Sequence, residues 1–82
     1  MATWYCSDCP RSSYNGDIRD AANYFAGVIA RKMYGRRGMA YCCNQDSYGG
    51  NAATYQATLG TYDKNAKHFI GSPHTFVVSR KK

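Results

Sequence analysis

The sequence predicts an α+β domain over residues 1–82: one N-terminal helix packed on a three- to four-stranded antiparallel sheet, stapled by disulfides. Three observations carry that expectation. Apolar residues recur at helical spacing between Asp17 and Tyr34. After Gly38 the apolar pattern changes to a period of two, as half-buried strands require. Four cysteines stand as C-x2-C (Cys6, Cys9) and C-C (Cys42, Cys43) in a chain of 82 residues. A chain this short buries only about 60–65% of the surface its unfolded form exposes. Its core is thin, and covalent or metal staples are common at that size.

Residues 10–16, PRSSYNG, have the composition of a turn. Residues 17–34, DIRDAANYFAGVIARKMY, read as a helix. Asp17 suits the N-cap, and Asp20 suits the positive end of the helix dipole. Ile18, Ala22, Phe25, Ile29 and Met33 form the apolar stripe, widened by Ala21, Ala26 and Val28. Arg31 and Lys32 occupy the last turn, where cations are favoured, and Gly35 ends the helix. MAYCC (39–43) is expected to be a short strand and NQDSYGGN (44–51) a loop. ATYQATLGTY (53–62) alternates, with Tyr55, Ala57 and Leu59 on one face and Thr54, Gln56 and Thr58 on the other. DKNAK (63–67) is a turn, and HFI (68–70) and TFVVSR (75–80) are strands joined by GSPH. Lys81 and Lys82 form a tail. No apolar run reaches the length of a membrane span.

The cysteines bear on the compartment. Zinc needs four convergent thiolates. Cys42 and Cys43 are neighbours, and neighbours on an extended strand point to opposite faces. A thioredoxin-type motif expects its C-x-x-C in a longer α/β chain. Two disulfides, joining each of Cys6 and Cys9 to Cys42 or Cys43, fit the pattern better, with zinc and free thiols as the alternatives; the connectivity stays open. Each link would close a loop of about 35 residues, worth roughly 3–4 kcal/mol in the chain-entropy model. Oxidised cysteines imply secretion. No signal peptide is visible after Met1-Ala2, so the protein is either cytosolic or has lost a leader, with Met1 then not native. The second reading suits the cysteines.

Charge and side-chain chemistry narrow the function. The net charge is +6, from eleven Lys and Arg against five acids, and all five acids are aspartates. Three constellations are candidates. His68 and His74 flank the expected Gly71-Ser72-Pro73 turn; two imidazoles can run acid and base on a phosphodiester, with Arg80 or a lysine steadying the oxygens. The alternative is two unrelated surface histidines. Arg31, Lys32, Tyr34, Arg36 and Arg37 form a basic cluster that attracts phosphate, nucleic acid or an anionic membrane surface. Its plain alternative is a solvated helix end. Tyr14, Tyr41, Tyr48, Tyr55 and Tyr62, with the SYGGN loop, offer an amphipathic contact surface, although some must fill the core. No nucleophile triad, phosphate-cradling loop or calcium loop is present, and no cofactor or metal is expected.

Trp4-Tyr5-Cys6, a turn, the IRDAANYFA helix and the strands after it resemble the small secreted effectors of pathogenic fungi. They are most similar to the ribonuclease-like effectors of powdery mildews, over residues 4–30. The resemblance implies a helix-on-sheet scaffold and a secreted virulence protein that binds host protein or RNA without catalysis. The fungal guanyl-specific ribonucleases that share this scaffold use a glutamate base; this chain has no glutamate, and their catalytic residues are not carried over. By composition the chain also resembles basic, disulfide-bonded fungal killer toxins and antifungal proteins. The expected function is therefore a secreted, toxin-like or effector protein, a monomer, that binds a host protein or RNA without turnover. Its binding residues would be Arg31, Lys32, Tyr34, Arg36, Arg37 and Tyr48. A small secreted ribonuclease using His68 and His74 is the alternative, and a cytosolic zinc or nucleic-acid-binding module the third reading.

Overall fold

The chain alternates between segments that can satisfy their backbone only in a sheet and one segment that can do so alone. The computed structural model describes residues 2–80, with the side chain of Cys42 outside the description. The elements are β1 (Ala2–Cys6), β2 (Cys9–Gly16), α1 (Ile18–Tyr34), a 3-10 turn (Gly35–Arg37), β3 (Met39–Gly49), β4 (Ala52–Asp63) and β5 (His68–Ser79). The strands form one antiparallel sheet in the order β2-β1-β5-β4-β3. It curls into a half-barrel, with α1 on one face.

The helix forms where the spacing predicts it. Asp17 is the N-cap in extended conformation, and its carbonyl accepts from the Ala21 N–H at 3.0 Å; its carboxylate makes no capping bond. Gly35, at φ 77°, ends the helix in a region other residues rarely adopt. The buried face is Ala21, Ala22, Phe25, Ala26, Ile29 and Ala30. Four of these six are alanines, which lets the helix backbone approach the sheet closely. Met33, expected in the stripe, is instead about half exposed, at 52%, because it lies in the last turn.

The alternation in β4 is the strongest strand feature. Tyr55, Ala57 and Leu59 are buried, together with Ala53, and Phe76 and Val78 meet them from β5. Phe25, Leu59 and Val78 are the largest fully buried side chains. Tyr55 and Phe76, directly opposite in register, stack with centroids 6.2 Å apart. On the other side of the core, Trp4 packs between helix and hairpin, and its indole N–H donates to the Gly16 carbonyl at 2.9 Å.

Several expectations are corrected. The helix is not N-terminal: a β1–β2 hairpin precedes it, and residues 10–16 lie in strand β2 instead of a turn. The sheet has five strands, not three or four. Residues 44–49 continue β3, with bulges between Tyr41 and Asn44 and between Gln45 and Ser47. No turn breaks residues 71–74, because His68–Ser79 is one strand paired with β4 along its whole length.

The domain is not disulfide-stapled. The thiols of Cys6, Cys9 and Cys43 are free, and the part of the expectation resting on the Cys42 side chain lies outside the described residues. Sheet order gives the reason. Cys6 lies on β1 and Cys43 on β3, with β5 and β4 between them. Three strand spacings of about 4.8 Å make roughly 14 Å, whereas a disulfide requires Cα atoms about 4.4–6.8 Å apart.

The curl requires bare backbone at one place. Gly60 and Gly71 are directly opposite across β4 and β5. A Cβ on Gly60 would collide with the Ile70 carbonyl oxygen, and one on Gly71 would lie 2.6 Å from the Leu59 carbonyl oxygen. Gly60→Ala is therefore expected to cost about 1–3 kcal/mol through forced backbone shifts. Gly49→Ala, where the nearest atom is 3.9 Å away, should change stability by less than about 0.5 kcal/mol. Urea midpoints of the two variants beside wild type check this, and equal midpoints would refute the pinch.

Candidate functional site

The basic cluster is contiguous in sequence but not in space. Arg31 lies back along the helix, its guanidinium nitrogen 3.3 Å from where a Gly27 Cβ would stand. Lys32 points to the β1–β2 turn, where it shares a hollow with Asp8, Cys9 and Pro10. Gly35 then stops the helix, and the 3-10 turn carries Arg36 and Arg37 away from it. Gly38 lets the chain turn back tightly against the helix: a Cβ there would collide with the Ala30 carbonyl. Arg36 and Arg37 are thereby held at the mouth of an open groove of about 800 Å³, shared with Met39, Tyr62, Lys64 and Ile70. Two elements distant in sequence, the 3-10 turn and the β4–β5 hairpin tip, thus present three cations to one space. Asp63 also lines it, but its carboxylate accepts the backbone N–H groups of Asn65 and Ala66 at 2.9 and 3.3 Å, which partly engages its charge in the turn.

The remaining expected binding residues are elsewhere. Tyr34 is partly exposed at the end of α1, beyond the groove lining. Tyr48 lies nine residues along β3 from Met39, about 30 Å away at strand rise, and its hydroxyl donates to the Gly50 carbonyl at 3.3 Å. Of the five tyrosines grouped by sequence, Tyr55 is core, and its hydroxyl donates to Gln45 Oε1 at 3.3 Å. Tyr14 packs on Tyr24 at 5.3 Å. Tyr41, Tyr48 and Tyr62 are exposed.

The histidines do not meet. With no turn between them, His68 and His74 stand six residues apart on one strand, about 20 Å at strand rise. His68 opposes Asp63 at the hairpin tip, and its Nδ1 lies 3.1 Å from the Ala66 carbonyl oxygen. His74 opposes Ala57, and its Nε2 lies 3.0 Å from Asp8 Oδ2 of the β1–β2 turn. Arg80 is farther still: its backbone N–H donates to the Asn51 carbonyl, and its guanidinium sits over Trp4, 5.5 Å from the ring centroid. The sequence signal for Asp8–His74 did not exist locally, since the two are 66 residues apart. Lys64, Met39 and Ile70 were also missed; only the sheet register brings them beside the arginines.

The thiols are held in their neutral form. Burial pushes Cys9 up to about 12, helped by the neighbouring Cys6 and Asp8 and opposed by Lys32. Burial likewise raises Cys6 and Cys43. A buried neutral thiol is a weak nucleophile and a weak metal ligand. Among the described residues no group of three or more His, Cys, Asp or Glu is placed to hold a metal ion. No described helix is long and apolar enough to cross a membrane.

Compared with known proteins, the chain matches no family model, no curated protein and no solved structure.

The raised thiols have a stability consequence of definite sign. Below about pH 9 folded and unfolded thiols are both protonated, and their contribution is fully present. Between about 9 and about 12 the unfolded Cys9 loses its proton while the folded one keeps it. Stability should therefore fall as pH rises through that window, by up to about 1.4 kcal/mol per pH unit for each such thiol. Cys9→Ala should make the fall shallower. Urea denaturation at pH 7, 9, 10 and 11 checks it; a wild-type curve flat to pH 11 would refute it.

Proposed function

We propose that this protein is a basic binding domain that captures an anionic partner, RNA, in the groove flanked by Arg36, Arg37 and Lys64, without turning it over. The observation that carries the reading is the convergence of these three cations from two separate elements on one open space, with apolar Met39 and Ile70 and the Tyr62 ring between them. A chain of net charge +6 attracts polyanions over its whole surface. A groove adds a place where phosphates can be held against a surface that also contacts bases. Secretion and an effector or toxin-like role belong to the same reading, and what supports them is the resemblance of residues 4–30.

The two-histidine ribonuclease is less well supported. One phosphate cannot touch two imidazoles about 20 Å apart, so a paired acid and base at His68 and His74 has no geometric basis.

Arg36→Glu with Arg37→Glu should weaken retention of a fluorescent RNA oligonucleotide by tenfold or more in low salt. The double variant should also flatten the dependence of log affinity on log salt, because fewer counterions are released. Circular dichroism should be unchanged, since both side chains are exposed. The wild-type protein should leave the oligonucleotide intact. Cleavage that disappears in both His68→Ala and His74→Ala would overturn the non-enzymatic reading, and RNA retention unaffected by the double reversal would return the arginines to a solvated turn.

A further inference from the structure

The sheet has two faces, and α1 covers one. Ala53, Tyr55, Ala57 and Leu59 of β4 point to the helix, so Thr54, Gln56, Thr58 and Tyr62 alternate onto the other face. Register places Tyr41 there, opposite Thr58, and Phe69, opposite Tyr62. No described element packs over this face.

Tyr41 and Phe69 belong to strands that are not neighbours, yet their ring centroids are 6.0 Å apart at an interplanar angle of 39°. The glycine pair explains the contact. Between the two rings β4 carries Gly60 and β5 carries Gly71, so no side chain separates them. The Phe69 ring leans over Gly71, its Cε1 only 2.8 Å from where a Cβ would be. Tyr41 and Tyr62 are 63% and 52% exposed. Two rings thus pack together on an uncovered face, with Tyr62 opposite Phe69 in register and the hydrogen-bonding side chains of Gln56 and Thr58 on the same face. Tyr62 and Met39 also line the basic groove, so rings and cations are continuous.

We propose that Tyr41, Phe69 and Tyr62 form a platform on which unpaired bases of single-stranded RNA stack while its backbone runs to Arg36, Arg37 and Lys64. The inference deepens the reading of the groove and rests on it. Every base has a π-face, and stacking on aromatic side chains is tolerant of sequence. The cations beside the rings match a polyanion. Gln56 and Thr58 can bond the 2′-hydroxyls that distinguish RNA from DNA. A duplex keeps its bases stacked inside and offers the platform nothing.

The test compares the affinities of wild type, Tyr41→Ala, Tyr62→Ala, Phe69→Leu and Tyr41→Phe for a labelled single-stranded oligoadenylate. Inorganic polyphosphate, an RNA duplex and the matching DNA strand serve as competitors. Each alanine variant should bind the oligoadenylate about 5- to 100-fold more weakly, with an unchanged salt slope. Tyr41→Phe should keep the wild-type affinity, and polyphosphate should bind wild type, Tyr41→Ala, Tyr41→Phe and Phe69→Leu equally. Alanine variants that bind like wild type overturn the platform, as does polyphosphate that competes as well as RNA per charge; both results leave the groove standing. Failure to bind either RNA or polyphosphate overturns the groove itself. Equal affinity for the DNA strand overturns the assignment to RNA. A wild-type dimer in sedimentation that Tyr41→Ala returns to monomer would make the rings an interface between copies and overturn the proposal too.

Discussion

The close seating of α1 on the sheet is the constraint from which the rest follows. Ala21, Ala22, Ala26 and Ala30 are fully buried and add almost no thickness between helix and strands. Only Phe25 and Ile29 project far into the layer, and they meet Leu59, Phe76 and Val78 there. Interiors pack to crystal-like density, so a thin layer admits few large side chains from the strands. β4 obeys this by alternating Ala53, Tyr55, Ala57 and Leu59. The same seating fixes where the helix ends. It forces the glycine at Gly38, where the chain doubles back against Ala30, and thereby sets the rim on which Arg36 and Arg37 stand.

Much of this was legible, and the failures share a physical cause. The helix and β4 carry their own patterns because each buries one face: the stripe from Ala21 to Ile29 has the helical period, and Tyr55–Leu59 the strand period. β2 and the second half of β3 carry none, because they are the two edges of the sheet. An edge strand buries little, so PRSSYNG and NQDSYG can be polar and still pair. Pro10 is tolerated because it lies on an edge strand. Pro73 misled for a subtler reason. β5 is central in the sheet order, yet β1 pairs with it only at Val78 and Ser79. At Pro73 one side of β5 is unpaired, and a missing N–H costs nothing there. The turn read from GSPH therefore does not form, and with it goes the meeting of His68 and His74.

The cysteines show the same limit. Spacing alone suggested two crosslinks, because C-x2-C and C-C are equal in number and about 35 residues apart. Whether they can meet depends on strand order, which no local pattern encodes. Having β1 and β3 separated by two strands leaves Cys6 and Cys9 as small buried apolar groups under the hairpin. Free thiols of this kind behave as compact hydrophobes. The β1–β2 arm is then held to the rest of the domain by weaker ties: the β1–β5 pairing at Tyr5–Ser79 and Cys6–Val78, Arg80 over the Trp4 face, and Asp8 against His74.

Sequence clustering of charge is likewise a poor guide to a site. Residues 31–37 look like one patch, but the helix stop divides it, leaving Arg31 on the helix and turning Lys32 toward Asp8. What remains at the groove gains Lys64 from a hairpin about thirty positions on. Three cations at one place repel one another, and with +6 overall the repulsion opposes folding. A polyanion seated there would neutralise that repulsion only in the folded chain, since the unfolded chain disperses the same charges. Binding and stability are therefore linked. A partner that binds the folded form alone stabilises it by RT ln(1 + [L]/Kd), about 2.7 kcal/mol at a hundredfold excess over Kd. For a thin-cored domain without crosslinks among its described cysteines, that increment is a large share of the total. If the groove takes up a polyanion, the sequence there trades stability of the free chain for affinity.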